Sequence, residues 1–252
     1  MRIGTTSYIY PADILPNVKQ LTDQIDDIEL VLFEVDDQNN LPNSQTINEL
    51  IRIAAAHDLT YTVHLPLDLK LANDDNTSSI EKALKVISHT GKLNPYGYII
   101  HVETDEGNDS KDIDRYVENS LRALSRIADA TGSFKHICLE NLESQSHYLL
   151  QPIVDAIPVS RCIDIGHLWK QGADPVPYLL TWLARTRVVH LHGVTERDHT
   201  SLSVMPTQSV DDVTTVLFEK FEGVLTLEVF SEHSFNSSLE MLRQSLDRIN
   251  RP

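Results

Sequence analysis

Only two cysteines, Cys138 and Cys162, occur in the 252 residues, and both sit inside apolar, strand-like runs. They read as buried thiols, which argues against a disulfide framework and fits a reducing cytoplasm. Positive charge is also scarce: 21 Lys and Arg stand against 37 Asp and Glu, a formal net charge of −16. Nucleic-acid binders carry a basic stripe that displaces counterions from phosphates, so neither DNA nor RNA is an expected partner. No apolar run approaches the ~18 residues that cross a bilayer, and the opening MRIGTTSYIY lacks the long apolar stretch of a signal peptide. No membrane partner and no export are expected. No Pro/Gly/Ser-rich linker divides the chain, whose length is close to the ~250 residues of a complete (β/α)8 barrel. One TIM-barrel domain over residues 1–252 is the expectation.

What is present is an alternation of short runs rich in β-branched and aromatic residues with longer stretches of helical spacing, the signature of parallel strands joined by helical crossovers. The strand candidates are Ile3–Tyr10, Ile28–Val35, Thr60–Leu65, Tyr98–Val102, His136–Asn141, Ser160–Ile165, Arg187–His192 and Val224–Phe230. Helix candidates between and after them include Thr46–His57, Ser79–Thr90, Ile113–Thr131 and Ser238–Asn250. Asn76 to Ser79 offers an N-terminal cap, and Gly91 and Gly132 follow helix ends.

In a parallel barrel the working side chains stand at the carboxyl ends of strands. Here six consecutive strand candidates end in metal-ligand residue types. The third and fourth give His64 and His101, and the fifth gives Glu140. The sixth offers Asp164 with His167 three residues on, the seventh His190 and His192, the eighth Glu228. Buried ionisable groups are costly when uncompensated, and shared divalent cations supply the opposing charge. Imidazole and carboxylate together suit Zn²⁺, Mn²⁺ or Fe²⁺, one to three per chain. Thr62, Cys138, Cys162 and Thr226 lie two positions earlier and share the inward parity. Glu34, which ends the second strand candidate, is placed to orient a ligand or substrate, and Tyr8, Tyr10 and Trp169 sit near the mouth, where rings can stack.

A Glu on the fifth strand, Asp-x-x-His at the sixth, His at the seventh and Glu at the eighth resemble the xylose isomerase-like TIM barrels. That superfamily contains endonuclease IV and the sugar isomerases and epimerases. His64, His101, Asp198 and His199 resemble the additions of the endonuclease IV branch, which holds three metals for phosphodiester cleavage. One departure is that Asp198 and His199 are adjacent, whereas the endonuclease places one residue between its Asp and His. Within the branch, GTTSYIYPADILPNV, HLHG and RDHTSL look like the bacterial cobamide-remodelling phosphodiesterases.

The resemblance implies a metal-dependent phosphodiesterase that releases cobinamide phosphate from a cobamide. Glu140 would bridge two metals, one completed by His64 and His101, the other by Asp164, Glu228 and His190 or His192. The overlay on the endonuclease motif favours His190. His167, Asp198 and His199 would hold a third metal or grip the phosphate, with Glu140, Glu228 and His167 acting on the substrate. One alternative is a single-metal sugar isomerase or epimerase, in which Glu140 and Glu228 shuttle a proton and Arg197 contacts the substrate. Another is a barrel that binds a corrinoid or a metal without turnover.

Overall fold

The computed structural model describes residues 1–35, 38–104, 112–146 and 148–249. The short apolar runs become strands β1 (Arg2–Thr6), β2 (Asp27–Val31), β3 (Glu34–Val35), β4 (Gln38–Asn39), β5 (Thr60–His64), β6 (Tyr98–Ile100), β7 (Ile137–Glu140), β8 (Ser160–Asp164), β9 (Thr186–Leu191) and β10 (Val224–Leu227). All except β3 and β4 pair in parallel and close in the order β1-β10-β9-β8-β7-β6-β5-β2. The helices are α1 (Ile14–Leu21), α2 (Ser44–His57), α3 (Thr77–Thr90), α4 (Ile113–Thr131), α5 (Gln151–Ala156), α6 (Ile165–Lys170), α7 (Pro175–Trp182), α8 (Thr207–Lys220) and α9 (Glu232–Ile249). The architecture is the expected (β/α)8 TIM barrel.

Alternation along the strands sorts side chains into two cores. Ile28, Leu30, Tyr61, Val63, Leu139, Ile163, Val189 and Leu225 point outward and pack beneath the helices, joined by Val18, Leu50, Val86, Leu124 and Leu217. Ile99, Cys138, Cys162 and Val188 form a second, smaller cluster. It lies within the barrel, where both thiols are free and buried. The other half of the interior is polar: Asp27 accepts hydrogen bonds from Thr60 (2.7 Å) and Thr62 (2.9 Å). Strand register then sets the mouth, for Asp164 stands level with His190, and Glu140 with Cys162.

The second strand differs from its expected span. It leaves the barrel at Val31, and Glu34–Val35 turns into an antiparallel pair with Gln38–Asn39. Asn40 explains the break: its side chain receives the Phe33 N–H (2.8 Å) and donates to the Val31 carbonyl (2.9 Å), taking groups that a continuing ladder would use. The expected run Ile3–Tyr10 likewise keeps only its first part as strand, and the last helix starts earlier than Ser238, while Asn250 lies outside the described residues. Gly132 caps α4 in the left-handed conformation (φ 76°), as a C-terminal glycine should. Gly91 instead continues right-handed into a 3₁₀ turn, and the Asn76 side chain bonds the carbonyls of Leu71 and Asn119 rather than capping α3.

Candidate metal centre

Glu140, the last residue of β7, stands where the strand-end side chains converge. Its Oε2 lies 3.1 Å from His64 Nε2 and 3.0 Å from His101 Nε2, while Oε1 lies 3.3 Å from His190 Nδ1 and 3.7 Å from His167 Nδ1. His64 donates through Nδ1 to the Leu65 carbonyl at 2.8 Å, which orients the ring with Nε2 toward Glu140. Asp164 follows from local chain chemistry: it caps α6, with Oδ1 receiving the His167 N–H at 2.7 Å. That bond fixes the carboxylate so that Oδ2 faces His190 Nδ1 (3.8 Å) and His167 Nδ1 (3.5 Å). Glu228, one residue past β10, brings Oε2 to 3.0 Å from His190 Nδ1 and 3.4 Å from His199 Nδ1.

Among the described residues, one set of ligand-type atoms lying within 4.8 Å of one another is Glu140, Asp164, His190 and Glu228, and a second is His64, His101 and Glu140. Glu140 belongs to both. The expected third trio is divided. His167 groups with His192 and His199 on one side, and with Glu143 and Asp198 on the other. His199 takes a left-handed backbone (φ 50°), which turns its ring toward Glu228, while Asp198 is bonded by Lys170 at 2.5 Å. The seventh-strand pair separates as well. His192 Nδ1 lies 3.0 Å from the His199 backbone nitrogen and 3.1 Å from the Gly193 carbonyl, and Nε2 donates to the Asp164 carboxylate at 3.2 Å. The ring rests over Gly166, where any added Cβ would overlap it.

Burial by itself would raise the Glu140 carboxyl, but the charges of His190 and His101 hold it well below the usual carboxylate range. Glu228 behaves alike, with burial opposed by His190 and His199. Burial works against a charged His101, yet Glu140 and Glu103 push its pKa up to about 10. The mouth therefore sets ionised Glu140 and Glu228 beside a His101 that holds its proton.

The donor set fits divalent cations. His190 Nδ1, His199 Nδ1 and Glu228 Oε2 are buried without a hydrogen-bond partner, although His190 and Glu228 approach to 3.0 Å. Atoms that close yet misaligned for a hydrogen bond are aimed at common ground between them, the arrangement a shared cation satisfies. Nitrogen and carboxylate donors suit Zn²⁺, Mn²⁺ or Fe²⁺. The nearby Cys162 thiol is pushed well up by burial and stays protonated.

A cavity of about 450 Å³ opens over these groups, lined also by Val31, Leu67, Leu142, Ser144 and Phe230. Asp164, His190 and His192 are not in its lining, and neither are five candidates outside the ligand set, of which Tyr10 packs against the outer core. Glu34, displaced with β3, is ion-paired with Lys85 of α3. Tyr8 accepts a hydrogen bond from Asn40 (3.1 Å) and faces a separate cavity beside Asp13 and Asn39. Trp169 packs on the outer core and borders a cavity with Asp174 and Pro175. Arg197 is exposed on the loop after β9. Conversely, sequence reading missed Glu29, buried on β2 with Oε2 2.9 Å from His190 Nε2, and Glu143, which lies 3.4 Å from His167 Nε2. The pattern Asp27-Ile28-Glu29-Leu30, acid and apolar in alternation, carried the signal for Glu29.

A model of the xylose isomerase-like TIM barrel family matches residues 24–251. The chain belongs to that family. No curated protein matches the sequence significantly. Among solved structures, a D-tagatose 3-epimerase-like protein is similar over 99% of this chain and 98% of its own, at 20% identity and a TM-score of 0.79. The D-psicose 3-epimerase of Clostridium cellulolyticum covers 99% and 98% at 15% identity and TM-score 0.71. Endonuclease IV of Thermus thermophilus covers 98% and 100% at 15% identity and TM-score 0.72. At these identities the structural matches speak for the fold. These neighbours bear the names of sugar epimerases as well as that of an endonuclease. No described helix is long and apolar enough to cross a membrane.

Proposed function

We propose that the chain is a metal-dependent phosphodiester hydrolase acting on the nucleotide loop of a cobamide. One observation carries the hydrolase reading: the Glu140 carboxylate belongs both to the Asp164–His190–Glu228 cluster and to a second ligand set made by His64 and His101. A single-metal isomerase has no use for that second set. Divalent ions held there supply positive charge that polarises a phosphoryl oxygen and makes a nearby water more acidic.

The chain's own groups then move the protons. Glu228, at the cavity wall, accepts one proton from the attacking water through the carboxylate oxygen not turned to His190, as the water oxygen bonds to phosphorus. Burial opposes a charged His167, but Asp164, Glu140 and Glu228 raise its pKa, so it holds a proton for the departing oxygen as the old P–O bond breaks. The cobamide assignment is supported by the segments Gly4–Val18, His190–Gly193 and Arg197–Leu202, and a net charge of −16 disfavours DNA. Leu67 and Phe230, exposed at the carboxyl ends of β5 and β10, offer apolar surface to a large flat ring.

A second reading, a sugar epimerase, is favoured by the set Glu140, Asp164, His190 and Glu228, which could hold one ion with two glutamates free to exchange a proton. Incubation of metal-loaded protein with adenosylcobalamin, bis(p-nitrophenyl) phosphate and a ketose panel separates them. Cobinamide phosphate is the expected product, lost together with metal in Glu140→Ala, whereas an epimerised ketose and no phosphodiester cleavage would select the second reading.

A further inference from the structure

Glu29 lies deeper in the barrel than the groups assigned to chemistry. It sits on β2 between Thr6 of β1 and Thr62 of β5 and is fully buried, 0% exposed. Its Oε2 stands 2.9 Å from His190 Nε2, and its Oε1 is buried with no hydrogen-bond partner. A carboxylate so placed costs stability, because half its acceptor capacity is unmet, and its neighbour on the same face, Asp27, is another acid. Packing gives no reason to keep a charge at this position.

The other side of the His190 ring supplies the reason. Nδ1 faces three carboxylates, at 3.0 Å (Glu228), 3.3 Å (Glu140) and 3.8 Å (Asp164), without a hydrogen bond to any of them. With the proton on Nε2, shared with Glu29, Nδ1 carries a bare lone pair directed at the same ground as the three carboxylates. Protonating Nδ1 as well would answer their charge, but Nδ1 is aligned for a hydrogen bond to none of them, whereas a cation satisfies all four groups at once. We infer that Glu29 is a positioning residue for a divalent cation. It holds His190 in the Nε2–H tautomer, fixes the ring plane, and makes Nδ1 a stronger donor. The inference rests on the cluster being a cation site and is indifferent to which reaction the site performs.

The test is a titration of wild-type and Glu29→Gln protein with Co²⁺ against a chelator of known affinity, with folding followed by circular dichroism. The variant should lose about 10- to 100-fold in affinity at one class of site and show a shifted visible Co²⁺ band, while the class using His64 and His101 is unchanged. A residue that only fills space would leave the band in place. Identical titrations and spectra in the two proteins overturn the inference alone, and absence of Co²⁺ binding by wild type overturns the cation site with it. If Glu29→Gln does not fold, the ¹⁵N spectrum of histidine-labelled, Zn²⁺-loaded wild type decides. His190 protonated on Nε2 and bare on Nδ1 is expected, and the reverse tautomer refutes the role.

Discussion

The His192 imidazole occupies the space a side chain at Gly166 would need, so that the first turn of α6 and the end of β9 meet through a ring lying on a glycine. The same ring donates to Asp164, which caps that turn. Gly166→Ala should therefore push His192 off Asp164, lowering stability by about 1–3 kcal/mol, the usual cost of overpacking, and lowering activity with it. Urea unfolding checks the first effect. Adding His192→Ala should restore much of the stability but not the activity, and a Gly166→Ala protein as stable as wild type would contradict the packing.

Lys170 bonds Asp198 at 2.5 Å and stands 3.7 Å from Glu143, the two groups that share a potential cation site with His167. Its ammonium supplies the charge a third metal would otherwise bring. Lys170→Ala should raise the metal content by up to one ion per chain, read by elemental analysis at saturating Mn²⁺ or Zn²⁺. Unchanged content would show that Asp198 and Glu143 do not form a site even when released.

Much of this was legible in the sequence. Parity alone placed Thr62, Cys138, Cys162 and Thr226 inside the barrel, and the strand-end rule brought Glu140, Asp164, His190 and Glu228 within reach of one another, because the backbone period and closure of the barrel dictate both. Glu34 was misplaced because the Asn40 side chain intercepts the backbone of β2, an interaction across seven residues that no local pattern displays. Glu29 was overlooked because strand-end reading ignores acids buried one layer down. The splitting of Asp198 from His199 depends on a left-handed backbone at His199 and on Lys170 reaching over from α6, both set by tertiary contacts.

Asp27 gives a pH dependence with a definite sign. Burial raises its carboxyl to about 6 against an ordinary value of 3.8, despite hydrogen bonds from Thr60 and Thr62. A folded-state pKa above the unfolded one favours the protonated protein. The contribution is complete below about pH 4 and lost as pH rises through about 6, a cost of roughly 3 kcal/mol at most. Asp27→Asn should match wild type near pH 4 and exceed it by about 2–3 kcal/mol above pH 7 in urea unfolding. A difference that does not change with pH would place the carboxyl at an ordinary value.

The central claim is that Glu140 is shared between two cation sites, and counting ions tests it most directly. Elemental analysis of purified, metal-saturated protein should give at least two divalent ions per chain, and His64→Ala/His101→Ala should hold one fewer with hydrolysis abolished, leaving the Asp164–His190–Glu228 site filled. One ion per chain in both proteins, with activity retained by the double variant, would contradict it.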